Sequence, residues 1–307
     1  MTNLKLEDIK ENIKRRQIAS QIFAIVGLLL IFFALFTLLA LTVKMFIDGL
    51  PRLSWKFFTS FPSRRAEEAG ILSAWVGTAV VMLMTAVFAI PIGVASGIYL
   101  EEYGKKGWLA ALIEVNISNL AGVPSIIYGL LALGLFVQDW NLGESILTAG
   151  LTLSLLILPV IVVATREAIK AIPNSLREAA YALGASKWQV IWDHLLPYSL
   201  GSILTGIIVA LSRAIGETAP LITIGALTFI AFLPDPPFKS EFPYISFAWL
   251  KAPFTVMPIQ MFNWVSRPQA AFQANAAAAG AVLVVMTLLM NGVAIYLRYR
   301  LRKGLKW

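Results

Sequence analysis

The chain has 307 residues, of which 58% are hydrophobic and only 14% are charged, and its mean hydropathy is +0.77. Soluble domains are about 45–50% apolar and about 25% charged, so this composition excludes an ordinary soluble domain and a disordered chain. The chain has no Cys and one His, which excludes a disulfide scaffold and argues against a metal site. We expect no bound cofactor. Its apolar blocks are long enough to cross a bilayer, which takes about 20 residues each, and they indicate an all-α integral membrane protein.

Uncharged stretches predict six transmembrane helices. The clear spans are Ile22–Val43, Leu72–Leu100, Leu120–Val137 around Pro124, Ile146–Thr165 and about Ala277–Leu297, and the other span is Leu200–Ile215 after Pro197. The stretch Leu221–Leu233 is too short to cross a bilayer, so we interpret it as a continuation or a re-entrant piece.

The distribution of Lys and Arg predicts that both termini are cytoplasmic. With six spans, sixteen of the 25 basic residues fall on the side of the termini and eight on the other side, which also accounts for the net charge of +8 without a nucleic-acid partner. The first span is longer than the apolar core of a signal peptide, so we expect it to be retained. These features predict a cytoplasmic segment over residues 1–21 and one permease domain over residues 22–307.

The loop before the last span differs in composition from the other loops. Residues 232–271 are rich in Pro and aromatic residues, among them Phe238, Tyr244, Trp249 and Trp264. Pro interrupts helices, and Trp and Tyr favour the membrane interface. We therefore expect an ordered periplasmic cap here; the alternative is a flexible loop.

The loop 171–197 reads as two short helices separated by a glycine. Ser175 with Glu178, and Ser186 with Gln189, have the spacing of capping boxes. Gly184 is suited to end the first helix in the left-handed conformation. Pro197 marks the return of the chain to the membrane. A compact, partly apolar projection of this kind is a surface that another protein can bind.

This loop resembles the EAA motif of bacterial ABC importer permeases. The matching residues are Glu178, Ala179, Ala180, Gly184, Leu196 and Pro197, whereas His194 replaces the usual aliphatic residue. The resemblance implies the six-helix ABC importer permease fold and a coupling loop that docks on a cytoplasmic ATPase dimer. The sequence contains no G-x4-G-K-[ST] phosphate-binding loop, so we expect no enzymatic activity and ATP hydrolysis on a separate chain.

Two charged residues lie in an otherwise apolar stretch, and they are the candidate substrate-pathway residues. Arg213 and Glu217 are four residues apart, which would place them on one helical face. Arg213 lies roughly 24 Å along a helix from Pro197, in the outward half of the membrane. Buried charges of this kind pair with each other or line an ion path. One interpretation is therefore a structural ion pair, and the other is an oxyanion path gated by Glu217.

Further runs resemble the PstA-type permeases of the bacterial high-affinity phosphate importer. The runs are Ala89–Tyr103, Leu120–Leu130, Arg213–Leu221 and Phe262–Gln269. The resemblance implies transport of inorganic phosphate at the cell inner membrane, together with a PstC-type second permease and a periplasmic phosphate-binding protein. The alternatives are an ABC permease for molybdate, sulfate or phosphonate, and an ion-coupled secondary carrier, which would require matching broken helices in its two halves.

Overall fold

The computed structural model describes residues 2–104, 107–237, 244 and 246–302. In this part of the chain the regular structure is helical. The α-helices are α1 (Thr2–Gly49), α2 (Trp55–Thr59), α3 (Leu72–Ile98), α4 (Trp108–Leu120), α5 (Ser125–Ala132), α6 (Ile146–Lys170), α7 (Asn174–Ala182), α8 (Lys187–Gln189), α9 (Leu196–Ala214), α10 (Ala219–Thr223), α11 (Met257–Val265) and α12 (Ala270–Arg302). Segments with π-helical hydrogen bonding follow α3, α5 and α8, at Tyr99–Tyr103, Leu133–Asp139 and Val190–Leu195.

Five of the described helices are long and apolar enough to cross a membrane. They are Lys10–Arg52, Leu72–Tyr103, Ile146–Lys170, Lys187–Ala214 and Ala270–Arg300. The predicted spans beginning at Ile22, Leu72, Ile146 and Ala277 lie within these helices, and the span beginning at Leu200 does so except for its last residue, Ile215. The prediction of an all-α membrane protein is therefore confirmed, with five of the six expected spans present as single long helices.

Two helices extend beyond the spans predicted for them. The segment 1–21 and the first span form one helix, so no break separates them within the described residues. Pro197 does not interrupt its helix, because it occupies the first turn of α9, directly after the π-helical segment. Extra residues in a helical turn accommodate the missing N–H and the ring of a proline. The second loop helix and the following span are consequently one continuous helix from Lys187 to Ala214.

The third predicted span, Leu120–Val137, begins at a break between two helices and is helical only after Pro124. Helix α4 ends at Leu120, and a new helix begins after Pro124, since a proline disfavours helical geometry in the residue before it. The hydroxyl of Tyr128 donates to the Leu120 carbonyl at 2.7 Å, which satisfies an acceptor at the break. The second piece, Ser125–Asp139, is an apolar helix below spanning length.

The stretch Leu221–Leu233 is not a continuation of the preceding span. A turn follows α9 at Ala214, and the short α10 (Ala219–Thr223) then packs against α5. This contact needs a residue without a side chain, because a Cβ on Gly129 would lie 2.7 Å from the Pro220 Cα. Helices α5 and α10, each of which follows an interruption in the chain, therefore stabilise each other by packing.

The loop 232–271 contributes ordered structure where it is described. A 3-10 turn covers Ala248–Lys251, and α11 packs on α12 and on the start of α3. The Met257 N–H donates to the Thr78 hydroxyl at 2.8 Å, and Trp264 is completely buried. The expected aromatic Phe238 lies outside the described residues. The periplasmic position of this cap stays a prediction.

The end of α1 lies beside the start of α12. The Arg52 Nε donates to the Asn275 Oδ1 at 2.6 Å, and a Cβ on Gly49 would lie within 2.8 Å of the Ala278 main chain. The two helices pack along each other, so they run in opposite directions. Residues near the two chain termini therefore belong to the same end of the bundle.

Small residues hold α3 against α6, the helix pair with the most extensive contact in the described part of the chain. A Cβ on Gly93 would lie 2.7 Å from the Ile161 Cγ2, and one on Gly97 would lie 2.6 Å from the Thr165 Cβ and 2.9 Å from the Val162 carbonyl oxygen. Helices in a bilayer associate through such close packing because lipid supplies no hydrophobic drive between them. Gly93 and Gly97 therefore form a close helix contact with α6.

We expect Gly97→Val to separate α3 from α6, since the added carbons overlap the main chain of α6. Overpacking of this kind costs about 1–3 kcal/mol, so the purified variant should melt at a lower temperature. Tryptophan fluorescence during heating in detergent measures the change. Gly27→Val is the control, because no atom lies within 4 Å of its Cβ position; an equal loss in both variants would contradict the packing explanation.

Candidate functional site

The first helix of the coupling loop, α7, begins after a proline and ends at a glycine. Pro173 occupies the N-cap position, so the expected capping box of Ser175 and Glu178 is wrong. The other end is as predicted: Gly184 has φ +82°, its N–H donates to the Tyr181 carbonyl at 2.9 Å, and the Ala185 N–H donates to the Ala180 carbonyl at 3.1 Å. These two hydrogen bonds form a Schellman motif.

The second helix has the capping box that its sequence predicts. The Ser186 hydroxyl accepts from the Gln189 N–H at 3.4 Å, and the Gln189 Oε1 accepts from the Ser186 N–H at 2.8 Å. The helix then continues through the π-helical segment into α9. The side chains of Trp188 and Trp192 stack on its exposed side with ring centroids 5.7 Å apart.

The predicted coupling residues divide between an exposed surface and a buried support. Glu178, Ala179 and Gly184 are exposed, and the neighbouring Leu183 side chain is 90% exposed. In contrast, Ala180 is buried with apolar residues of α6 and of the π-helical segment. Leu196 and Pro197 are half-buried at the start of α9, away from the loop tip. We call Glu178, Ala179, Leu183 and Gly184 the coupling surface.

Two consecutive carboxylates after α3 bind arginines of the neighbouring helices. The Arg177 guanidinium contacts the Glu102 carboxylate at 2.9 Å, and both side chains are largely buried. The Arg166 Nε donates to Glu101 at 3.0 Å, and its Nη1 contacts Glu114 of α4. The π-helical segment Tyr99–Tyr103 is thereby joined to α4, α6 and α7. None of these five residues was singled out as functional from the sequence.

The signal for these contacts is weak in the sequence. Glu101 and Glu102 read only as polar residues at the end of a span, and Arg177 reads only as a positive charge that indicates topology. No fixed spacing connects a carboxylate with an arginine 75 residues later. One feature could have suggested the contact. Two carboxylates stand at the end of a span, and the next predicted loop on the same side of the membrane is basic.

The candidate pathway residues pair at the far end of α9. The Arg213 Nε lies 3.5 Å from the Glu217 Oε1, and the two side chains are 42% and 19% exposed. The helix ends at Ala214, so Glu217 reaches back from a turn, and the expectation that both residues share one helical face is wrong. The residue before Arg213, Ser212, donates to Asn291 of α12 at 2.7 Å and so anchors this end of α9.

Comparison with known proteins identifies the family. The family described as "Binding-protein-dependent transport system inner membrane component" matches residues 89–306. The chain belongs to this family. It is 32% identical to the "Phosphate transport system permease protein PstA" of Yersinia pestis, over 92% of this chain and 90% of that protein. It is also 32% identical to the "Probable ABC transporter permease protein YqgI" of Bacillus subtilis, over 84% of this chain and 88% of that protein.

Solved structures show the same fold. A chain of a bacterial alginate ABC transporter, solved with an alginate-bound periplasmic protein, superposes with TM-score 0.64 at 17% identity and covers 95% of this chain and 98% of that one. A chain of the MetNI methionine ABC transporter superposes with TM-score 0.51 at 16% identity, over 76% and 92% of the two chains. At such identities the likeness establishes the fold alone.

Family membership establishes the general role of the chain. It is a multi-pass inner-membrane permease subunit of an ABC importer, and it transports without catalysing a reaction itself. Such a permease works together with an ATPase and a binding protein. The predictions of permease family, localisation and absence of enzymatic activity are therefore confirmed.

We expect Gly184→Val to weaken ATPase binding while the spans remain inserted. No atom lies within 4 Å of its Cβ position, so the cost comes from φ +82°, which an L-residue adopts at about 1–2 kcal/mol. Co-purification of the ATPase with tagged permease measures the effect. Gly107→Val is the matched control, because its Cβ position is equally open and its φ is −175°. Normal co-purification of the Gly184 variant would contradict the docking role.

Proposed function

We propose that this chain is a permease subunit of an ABC importer for inorganic phosphate, with Arg213 in the anion path. The observation that carries the proposal is the pair at the end of α9. Its 3.5 Å separation is at the outer limit of a hydrogen bond, and the Arg213 side chain is 42% exposed. Because this contact is long, the Arg213 guanidinium retains N–H donors for an oxyanion. The planar fork of these donors matches the geometry of an oxyanion. Glu217 neutralises the charge when no anion is bound.

Relatives support phosphate as the cargo. Proteins of Yersinia pestis and Haemophilus influenzae, each 32% identical over 92% of this chain, are phosphate transport system permeases. The Arg213–Leu221 run and the other PstA-like runs lie in the part of the chain that these alignments span. The names of these relatives are the basis for proposing phosphate as the cargo. The Arg213–Glu217 pair supplies a chemical reason for an anion.

We also propose six membrane crossings with both termini cytoplasmic. The third crossing combines α4 with the helix Ser125–Asp139. Glu114 of α4 contacts Arg166 near the end of α6, whereas Asp139 precedes the start of α6 by a short turn. The chain from α4 to Asp139 therefore passes from one end of α6 to the other, although its helix is broken. The Arg52–Asn275 contact supports termini on one side, because it joins the end of α1 to the start of α12.

The coupling surface is proposed to dock on a dimer of cytoplasmic ATPase subunits. The exposed residues Glu178, Ala179, Leu183 and Gly184 contact the ATPase, and Ala180, Leu196 and Pro197 hold them in place from the bundle side. A PstC-type second permease completes the pathway. The cap 232–271 faces a periplasmic phosphate-binding protein, which delivers the anion.

ATP-driven phosphate uptake into proteoliposomes tests the function. The reconstituted complex contains both permeases and the ATPase, with binding protein outside, and Arg213→Gln is compared with the unmodified chain. We expect uptake to fall by at least about tenfold in the variant, which corresponds to the loss of one charge-assisted contact of about 1.4 kcal/mol or more. Co-purified ATPase should be unchanged.

The control is Arg65→Gln, which removes the same charge from an exposed pair with Glu68. If the Arg213→Gln complex takes up phosphate as fast as the unmodified one, the Arg213–Glu217 pair has a structural role and is not part of the anion path. A complex that assembles and hydrolyses ATP but takes up no phosphate would retain the permease role and exclude phosphate. Uptake of molybdate or sulfate in its place would then identify the cargo.

A further inference from the structure

We propose that Arg177 is a positioning residue that ties the coupling loop to the end of α3, so that displacement of the coupling surface moves α3. The proposal rests on the proposed docking of an ATPase on that surface. It assigns a path into the bundle for the movement that the ATPase generates. The path begins at the guanidinium of Arg177, which donates hydrogen bonds to acceptors in several parts of the chain.

Arg177 binds three structural elements at once. Its Nε and Nη2 contact the Glu102 carboxylate, which follows α3, at 3.0 and 2.9 Å. Its Nη1 donates to the Ile172 carbonyl at 2.8 Å, and its Nη2 donates to the Ile169 carbonyl of α6 at 3.1 Å. The planar fork of an arginine can serve carboxylate and carbonyl acceptors together, which one ammonium group cannot do with the same geometry.

This pair is buried, in contrast to surface pairs nearby. The side chains of Arg177 and Glu102 are 14% and 7% exposed, whereas those of Lys170 and Glu167 are 54% and 58% exposed at a longer distance of 3.6 Å. Exposed pairs contribute little to stability, but removal of one partner from a buried pair leaves an uncompensated charge. The Arg177 contact is therefore a strong connection between its two elements, and the Lys170 contact is not.

Glu102 also holds the second half of the coupling loop. The Lys187 ammonium, at the start of α8, donates to the Glu102 carbonyl and lies 4.7 Å from the centre of the Tyr103 ring. Both loop helices are thus attached to the same residue. The coupling surface lies between these two attachments, at the end of α7 and at Gly184.

The remainder of the path is the α3–α6 contact. The π-helical segment Tyr99–Tyr103 continues directly from α3, whose glycines lie against α6. A force applied to α7 reaches Glu102 through Arg177 and then passes along a continuous helix. Loss of Arg177 should consequently leave docking intact and separate ATP hydrolysis from transport.

The experiment compares Arg177→Met, Arg177→Lys and Glu102→Gln in the reconstituted complex. Lys170→Met is the control, because it removes one positive charge from the exposed pair at the end of α6. We expect Arg177→Met to retain co-purified ATPase and ATP hydrolysis while phosphate uptake per ATP falls about tenfold, within the range typical of coupling between two sites. Arg177→Lys should recover part of the phosphate uptake per ATP. The double variant of Arg177→Met with Glu102→Gln should have the same uptake per ATP as Arg177→Met alone, or a higher one.

A second measurement does not depend on the cargo. The chain has no Cys, so spin labels at Ser175→Cys in α7 and Ile92→Cys in α3 report the distance between the coupling loop and α3. Both side chains are exposed, and neither belongs to the coupling surface. We expect one narrow distance distribution in the doubly labelled complex without further changes and in the labelled Lys170→Met complex. The labelled Arg177→Met and Glu102→Gln complexes should give a clearly broader distribution. If Arg177→Met fails to assemble, Glu102→Gln decides.

Two outcomes would overturn the proposal. One is an unchanged ratio of uptake to hydrolysis together with an unchanged distance distribution in Arg177→Met. The other is a loss of ATPase from the complex in both Arg177→Met and Glu102→Gln, which would make this contact part of the docking surface. Absence of phosphate uptake in the unmodified complex would instead contradict the cargo assignment, and the distance measurement would still test the tether.

Discussion

The close contact of α3 with α6 determines where the charged residues of this permease meet. Gly93 and Gly97 bring the two main chains together, and the following turn therefore places Glu101 and Glu102 against the end of α6. A larger side chain in either glycine position would increase the helix separation and move both carboxylates away from their arginines. Helix packing in the apolar part of the molecule is in this way a precondition for the ion pairs at its edge.

The Arg177–Glu102 pair and the Arg213–Glu217 pair differ in a manner that fits different tasks. Arg177 and Glu102 are nearly covered and make several short hydrogen bonds, as expected of a fixed joint. Arg213 and Glu217 are more exposed and 3.5 Å apart, as expected of a site whose partner can be exchanged. Burial and hydrogen-bond number, more than the presence of opposite charges, distinguish a structural contact from a binding site.

The sequence predicted the membrane class, the loop glycine and the capping box of Ser186, because these depend on local patterns. It failed at Ser175, because Pro173 takes the N-cap position, and it gave no sign that the second loop helix continues through Pro197 by way of a π-helical turn. The contact of Arg177 with Glu102 was not predicted, since it depends on how distant helices pack. Long-range contacts of this kind have no periodicity from which they can be read.

The unbroken helix from Lys187 to Ala214 connects the loop to the intramembrane ion pair. Its 28 residues make a rod about 42 Å long, because an α-helix rises 1.5 Å per residue. If such a rod pivots at the loop, a tilt of about 5° displaces its other end, and with it Arg213, by roughly 4 Å. The chain thus contains its own lever: a small rotation at the loop moves the Arg213 guanidinium by about the length of one ion contact.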